Sequence, residues 1–160
     1  MKDKILKILQ KNAKVSYQTI ADRLGVKLEV IVASIKELEK SGVILGYRTV
    51  LDQSKINDDK VRALIEVKTK PQREGGYDKM ALRISRFENV TDVYLISGQY
   101  DLNVQVSGDS LQEVASFVAT KLSPLNGVVS CSTHFILKKY KEAGFCQEKE
   151  KSHERLSVTP

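Results

Sequence analysis

The sequence predicts an α+β protein in two parts: a small helical N-terminal unit, then a β-α-β-β-α-β unit whose helices cover one face of a sheet. Three observations predict it. Over residues 1–44, apolar residues recur at helical spacing, with breaks at Gly25 and Gly42. From Ala63 onward, period-two stretches alternate with helical ones. The net charge of +6 is also uneven: residues 1–48 hold ten Lys or Arg against five Asp or Glu, whereas residues 49–137 hold ten against eleven.

Composition narrows the class. At 160 residues and 41% hydrophobic, the chain can bury a real core. No apolar run approaches the ~20 residues of a membrane span, and Met1–Gln10 alternates Lys with Ile and Leu, unlike a secretory signal. Cys131 and Cys146 form neither a CxxC pair nor a disulfide framework, which fits a reducing cytoplasm.

Ile5, Leu6, Ile8 and Leu9 place a first helix that ends near Asn12. Ser16 can cap a second helix, since its hydroxyl accepts an orphan N–H of the first turn. Ile20, Ala21 and Leu24 give that helix its buried face, and Gly25 supplies the left-handed residue that stops it. Val26 can pack under the turn. A third helix runs from about Leu28 to Ser41, with Ile31, Ile35 and Leu38 pointing inward; Gly42 ends it, and Val43-Ile44 return to the core. Two helices joined by a short Gly-containing turn, behind a supporting helix, form a helix-turn-helix of winged-helix-like type. Its second helix would enter the major groove of double-stranded DNA, with basic side chains and backbone amides on phosphates. The candidate DNA-facing residues are Ser16, Tyr17 and Gln18 at the start of the second helix. On the third they are Lys27, Glu29, Val30, Ala33, Ser34 and Lys36, with Glu37 also exposed.

The stretches Ile20-Ala21-Asp22-Arg23-Leu24-Gly25-Val26 and Leu38-Glu39-Lys40-Ser41-Gly42-Val43-Ile44-Leu45-Gly46-Tyr47 resemble the Lrp/AsnC (leucine-responsive, feast/famine) transcriptional regulators. The resemblance implies DNA binding in response to a small molecule. There are departures: Lys27 stands where the family usually has Ser, and Ser34 where it usually has Arg. No Arg lies between Lys27 and Gly42. Arg is the commonest reader of guanine edges, so binding through phosphates and DNA shape is one consequence. A sensor whose DNA binding is weakened or lost is the alternative.

Residues 45–61 read as a connection. Gly46–Leu51 is β-branched and extended in character, a short strand, and Asp52–Lys60 is a polar hinge. The resemblance implies that this strand pairs with its counterpart in a second subunit. Ile56-Asn57 stand where the family usually has Leu-Gly.

Residues 62–138 form the second unit. Ala63, Ile65 and Val67 alternate along a strand; Pro71–Gly76 is a loop; Tyr77–Phe87 is a helix with Met80, Ile84 and Phe87 on one face. Val90–Ile96 is a strand, Ser97-Gly98-Gln99 a tight turn, and Asp101–Val106 a strand with Leu102, Val104 and Val106 inward. Leu111–Leu122 is a helix burying Leu111, Val114, Ala115, Val118 and Leu122, and Val128–Leu137 is the last strand. This order is the ferredoxin-like split βαβ. The sheet face without helices needs a cover, and a partner subunit is the simplest one, giving a homodimer or larger homo-oligomer. Ser97-Gly98-Gln99-Tyr100-Asp101-Leu102 matches the family's Gly-x-Tyr-Asp turn, and the resemblance implies that Ser97, Gly98, Gln99, Tyr100 and Asp101 help hold an amino-acid effector. Physically, Gly98 can take positive φ and expose N–H groups to a carboxylate. Asp101 can hold an ammonium or cap the turn locally, and the same residues can simply build the hairpin.

Residues 139–160 are charged and aperiodic, an expected flexible tail in which Phe145 and Cys146 are candidates for docking. His134, expected in the core, and His153 make no metal-ligand spacing with Cys or carboxylates. There is no P-loop, GxGxxG, GxSxG or HExxH. A Cys131–His134 catalytic pair fails because residues three apart on a strand face opposite ways. Tetrapyrrole-decarboxylating proteins resemble this family in both domains, but they would need several basic and His side chains around a large cavity. The expectation is a regulator, not an enzyme, with no cofactor and no metal.

Overall fold

The computed structural model describes residues 1–56, 59–70 and 76–147. The chain divides between Val50 and Leu51 into two units.

In the first unit, α1 (Lys2–Lys11), α2 (Tyr17–Leu24) and α3 (Leu28–Lys40) pack on a core of Ile5, Leu9, Ile20, Ala21, Ile31 and Ile35. The i, i+3, i+4 spacing of these residues gives each helix one apolar stripe. Ser16 caps α2 by accepting the Thr19 N–H at 3.0 Å, and Gly25 closes it at φ +65°, ψ +36°. That left-handed step turns the chain so that the Val26 N–H returns to the Ala21 carbonyl at 3.1 Å. Gly42 ends the unit's third helix in the same manner, at φ +74°. Ile44 returns to the core, but Val43 stays exposed.

Residues 46–51 form no strand, against expectation. A strand exists only where its N–H and C=O groups meet a second strand, and among the described residues no strand pairs with them. Leu45, Tyr47 and Leu51 are exposed there. A single 3₁₀ turn, Gln53–Lys55, follows. Asn57 and Asp58 of the hinge, and residues 71–75 of the loop expected at Pro71–Gly76, lie outside the described residues.

The second unit is a four-stranded antiparallel sheet in the order β2-β3-β1-β4, built from β1 (Val61–Thr69), β2 (Val90–Leu95), β3 (Leu102–Gly108) and β4 (Val128–Phe135). Ala63, Ile65 and Val67 of β1 lie opposite Val106, Val104 and Leu102 of β3, and α4 (Asp78–Ile84) and α5 (Leu111–Phe117) cover that face. Phe87 meets Phe117 edge to face, with centroids 5.4 Å apart. Both helices are shorter than expected. After Phe117 the α5 chain widens into a π turn, Val118–Leu122. The buried stripe runs through Val114, Phe117 and Leu122, so Leu111 and Ala115, expected inside, are exposed.

Arg62, Leu64 and Glu66 of β1 lie opposite Ser107, Gln105 and Asn103 of β3 on the other face, and Lys68 lies opposite Ser130 of β4. That face is largely polar, so its need for a cover is weaker than an apolar face would make it. The tail also departs from expectation. β5 (Lys141–Glu142) pairs with β6 (Phe145–Cys146) through a turn with positive φ at both Ala143 (+46°) and Gly144 (+88°), as tight hairpins require. Phe145 and Cys146 are exposed on it rather than docked. Residues 148–160 lie outside the described residues.

Candidate nucleic-acid interface and ligand turn

The first candidate surface is the exposed side of α2 and α3. At the start of α2, the Ser16 hydroxyl is occupied by its capping bond and a 2.7 Å contact with Thr19 Oγ1. Gln18 Nε2 donates to Asp22 Oδ1 at 2.8 Å. Tyr17 is exposed. Lys27 occupies the N-cap position of α3 and makes no side-chain cap, because an ammonium has no lone pair to offer. Lys27, Glu29, Val30, Ala33 and Lys36 are all exposed.

Ser34 is a correction. It is buried, so it cannot face a duplex. It lies three residues after Ile31 and four before Leu38, within the inward stripe, and its polarity hid that placement in the sequence.

Two contacts fix the flanks of α3. Lys2 Nζ meets Glu37 Oε1 at 2.6 Å, and the Tyr47 hydroxyl donates to Glu39 Oε1 at 2.9 Å. Desolvation of the Tyr47 phenol, with the Glu39 carboxylate beside it, pushes its pKa up to about 12, so the donor stays protonated. Nothing local in the sequence signals either pair. Sequence reasoning also missed a cleft of about 410 Å³ in this unit, lined by Lys7, Ile8, Gln10, Lys11, Asn12, Val15 and Arg23. It holds three cations and no carboxylate. The signal was the i, i+4 pair Lys7–Lys11, whose mutual repulsion is mildly unfavourable unless an anion is near.

The second candidate is the connection between β2 and β3. Ser97, Gly98 and Gln99 are exposed, and Tyr100 and Asp101 are half-buried. Gly98 sits at φ +137° with open space where a Cβ would be. The Ile96 N–H bonds the Asp101 carbonyl at 2.9 Å and closes the turn, and the Asp101 N–H reaches the Val67 carbonyl at 3.0 Å. The Asp101 carboxylate accepts the Thr69 N–H at 2.8 Å and Lys68 Nζ at 3.2 Å. The Thr69 N–H, then Lys68 and Tyr77, hold its pKa below the usual carboxylate value, against the opposing effect of burial. Of the two roles open to Asp101, the observed one is a clasp between β3 and the end of β1, and the ammonium it meets is that of Lys68.

Cys131 lies opposite Val67 and His134 opposite Leu64, three residues apart on opposite faces of β4. His134 is therefore not a core residue. It is exposed on the polar face, with Nε2 3.1 Å from Ser132 Oγ and 3.2 Å from Glu66 Oε2. Burial raises the Cys131 thiol pKa, partly countered by a hydrogen bond with Ser123, so the thiol is a poor nucleophile. Among the described residues, no group of three or more His, Cys, Asp or Glu could hold a metal ion, and no helix is long and apolar enough to cross a membrane.

Comparison with known proteins places these surfaces in context. The Lrp/AsnC ligand binding domain matches residues 62–144, and a winged helix-turn-helix DNA-binding domain matches residues 3–44. The chain is 44% identical to the HTH-type transcriptional regulator YugG of Bacillus subtilis, over 98% of this chain and 95% of YugG. It is 28% identical to the regulatory protein AsnC of Haemophilus influenzae, over 81% of this chain and 85% of that protein. A transcriptional regulator from Neisseria meningitidis, solved as its L-Met complex, shares the fold with a TM-score of 0.66 at 22% identity, over 88% of this chain and 90% of that one.

Proposed function

Since the chain belongs to the Lrp/AsnC family of DNA-binding transcriptional regulators that respond to small molecules, we propose that the exposed side of α3 enters the major groove and that the effector is an amino acid. The observation that carries the DNA reading is the outward face of α3. Lys27 and Lys36 are exposed cations on it, Val30 and Ala33 lie between them, and α2 is capped and turned by Ser16 and Gly25 to support it. The start of α2, Ser16 to Gln18, then lies against the phosphates, with Tyr17 as its exposed contact.

The effector reading rests on the turn. Ser97, Gly98 and Gln99 present backbone N–H groups suited to a carboxylate, while Asp101 fixes the turn's shape from behind. The Neisseria regulator of the same fold was solved with L-Met, which supports an amino acid as the ligand class. Exposed Leu45, Tyr47 and Leu51 in and beside segment 46–51, which lies in no strand, support a homodimer in which that segment pairs with its counterpart, and larger assemblies built from such dimers. The free thiols of Cys131 and Cys146 fit the cytoplasm.

A mobility-shift assay of the full chain on its own promoter region, across a salt series, tests the DNA reading. Affinity should fall steeply and linearly in log–log form as salt rises. The second reading, an amino-acid-binding oligomer without DNA binding, is favoured by Glu29 and by the absence of Arg from α3. Amino-acid binding with no shift on any genomic fragment would establish it instead.

A further inference from the structure

We propose that Val30 and Ala33 recognise thymine methyl groups, which makes apolar contact the specific part of this protein's base readout. The inference rests on the DNA-binding reading above. A base pair offers the major groove hydrogen-bonding edges and, on thymine alone, an apolar C5 methyl. The side chains that read hydrogen-bonding edges bidentately are Arg, Lys, Asn and Gln. Of these only Lys occurs in α3, Leu28–Lys40, at Lys36 and at Lys40 in its last turn. Ser34 is buried. Glu37 and Glu39 are engaged by Lys2 and Tyr47 on the flanks of the helix.

Apart from Glu29, what α3 exposes over its first two turns is apolar. Val30 is 38% exposed, Leu28 beside it is 37% exposed, and Ala33 is exposed one turn further on. Val30 and Ala33, three residues apart, are neighbours on the helix surface. Their separation along the axis is ~4.5 Å, close to the ~3.4 Å rise of one base step, so two adjacent base pairs fall within reach. Lys27 and Lys36 stand at the two ends of this apolar strip, and their charge commits its occupant to a polyanion rather than to an apolar protein surface. Glu29, also outward, disfavours any approach that brings it to a phosphate and so helps fix the helix's register.

The test uses the full chain and the tightest duplex it selects from a random-sequence pool. That duplex is compared with the same sequence carrying deoxyuridine in place of every thymine, which removes the methyl and leaves base pairing intact. Each methyl buried against Val30 or Ala33 contributes roughly four-fold in affinity, so losing one at each residue should cost roughly fifteen-fold. Val30→Ala keeps helix propensity at an exposed site. It should weaken binding to the thymine duplex and shrink the thymine-to-uracil ratio by about four-fold. Salt-sensitive binding that is equal for thymine and uracil duplexes overturns the proposal and leaves the DNA-binding reading standing. A uracil penalty of the same size in Val30→Ala also overturns it, because the loss then belongs to duplex shape. Failure to select any duplex removes both readings.

Discussion

On α3, Lys27, Glu29 and Lys36 stand out from the helix with their charges exposed, while in the β2–β3 connection the one charged side chain, Asp101, is consumed within the fold by Thr69 and Lys68. The surface proposed for DNA is a side-chain surface; the one proposed for the effector is a backbone surface at the exposed residues Ser97, Gly98 and Gln99. The difference suits two kinds of partner. A duplex is large and uniformly charged, and is met by long mobile cations. A small zwitterion has to be held by groups already fixed in place, and backbone N–H groups set by a clasped turn carry little entropic cost.

Breaking each surface should therefore give a different signature. The largest effect is expected from Lys27→Glu combined with Lys36→Glu. Reversing two charges should weaken DNA binding on all sequences by ~100-fold or more, about 3 kcal/mol, with the thermal midpoint almost unchanged. Equal affinity in a mobility shift would place the groove-facing side of α3 elsewhere. Gly98→Val attacks the backbone surface. At φ +137° a branched side chain is strained by about 1–3 kcal/mol, so the turn should reshape. Mass by light scattering and the response to amino acids should both change, while DNA affinity of the free protein holds at low salt. Unchanged mass and response would show that the turn takes no part in assembly or sensing.

Asp101→Ala sharpens the comparison further, since it removes the clasp without touching the exposed N–H groups. Loss of its hydrogen bonds to Thr69 and Lys68 should cost about 1–3 kcal/mol in urea unfolding. Because the folded pKa is lowered, this contribution is full above the unfolded carboxylate value of about 3.9 and is lost as pH falls through the folded value. The stability gap between wild type and variant should accordingly narrow below about pH 4; a gap independent of pH would deny the carboxylate its role. The smallest effect belongs to Ser34→Ala. Its side chain faces inward, so DNA affinity should not move and stability should shift by only ~0.5 kcal/mol, the difference in helix propensity between Ser and Ala. A clear loss of DNA affinity would return Ser34 to the interface.

Most of the architecture was legible because it is local. The α1–α3 stripes, the Ser16 cap, the left-handed Gly25 and the period-two strands each follow from residues within a turn or two of one another. Where the reading failed, the deciding partner lay outside the local pattern. Residues 46–51 have strand propensity, but propensity supplies no second strand. Ser34 looked outward because it is polar, although its spacing from Ile31 and Leu38 put it inside. Leu111 and Ala115 share the helical spacing of Val114, but the buried stripe turns through Phe117 and, across the π turn, Leu122. The hairpin at 141–146 was hidden by charge, and only the Ala143-Gly144 pair hinted at it. In the candidate sites, exposure along α3 could be read from the helical period. The clasp of Asp101 on Lys68, 33 residues away, could not, because it depends on the pairing of β1 with β3.

The central claim, that the exposed cations of α3 lie against DNA phosphates, is tested most directly by the salt dependence of binding in wild type and in Lys27→Gln/Lys36→Gln. Two lost phosphate contacts should make the slope of log affinity against log salt shallower by about 1.8. An identical slope in the two proteins would contradict the account.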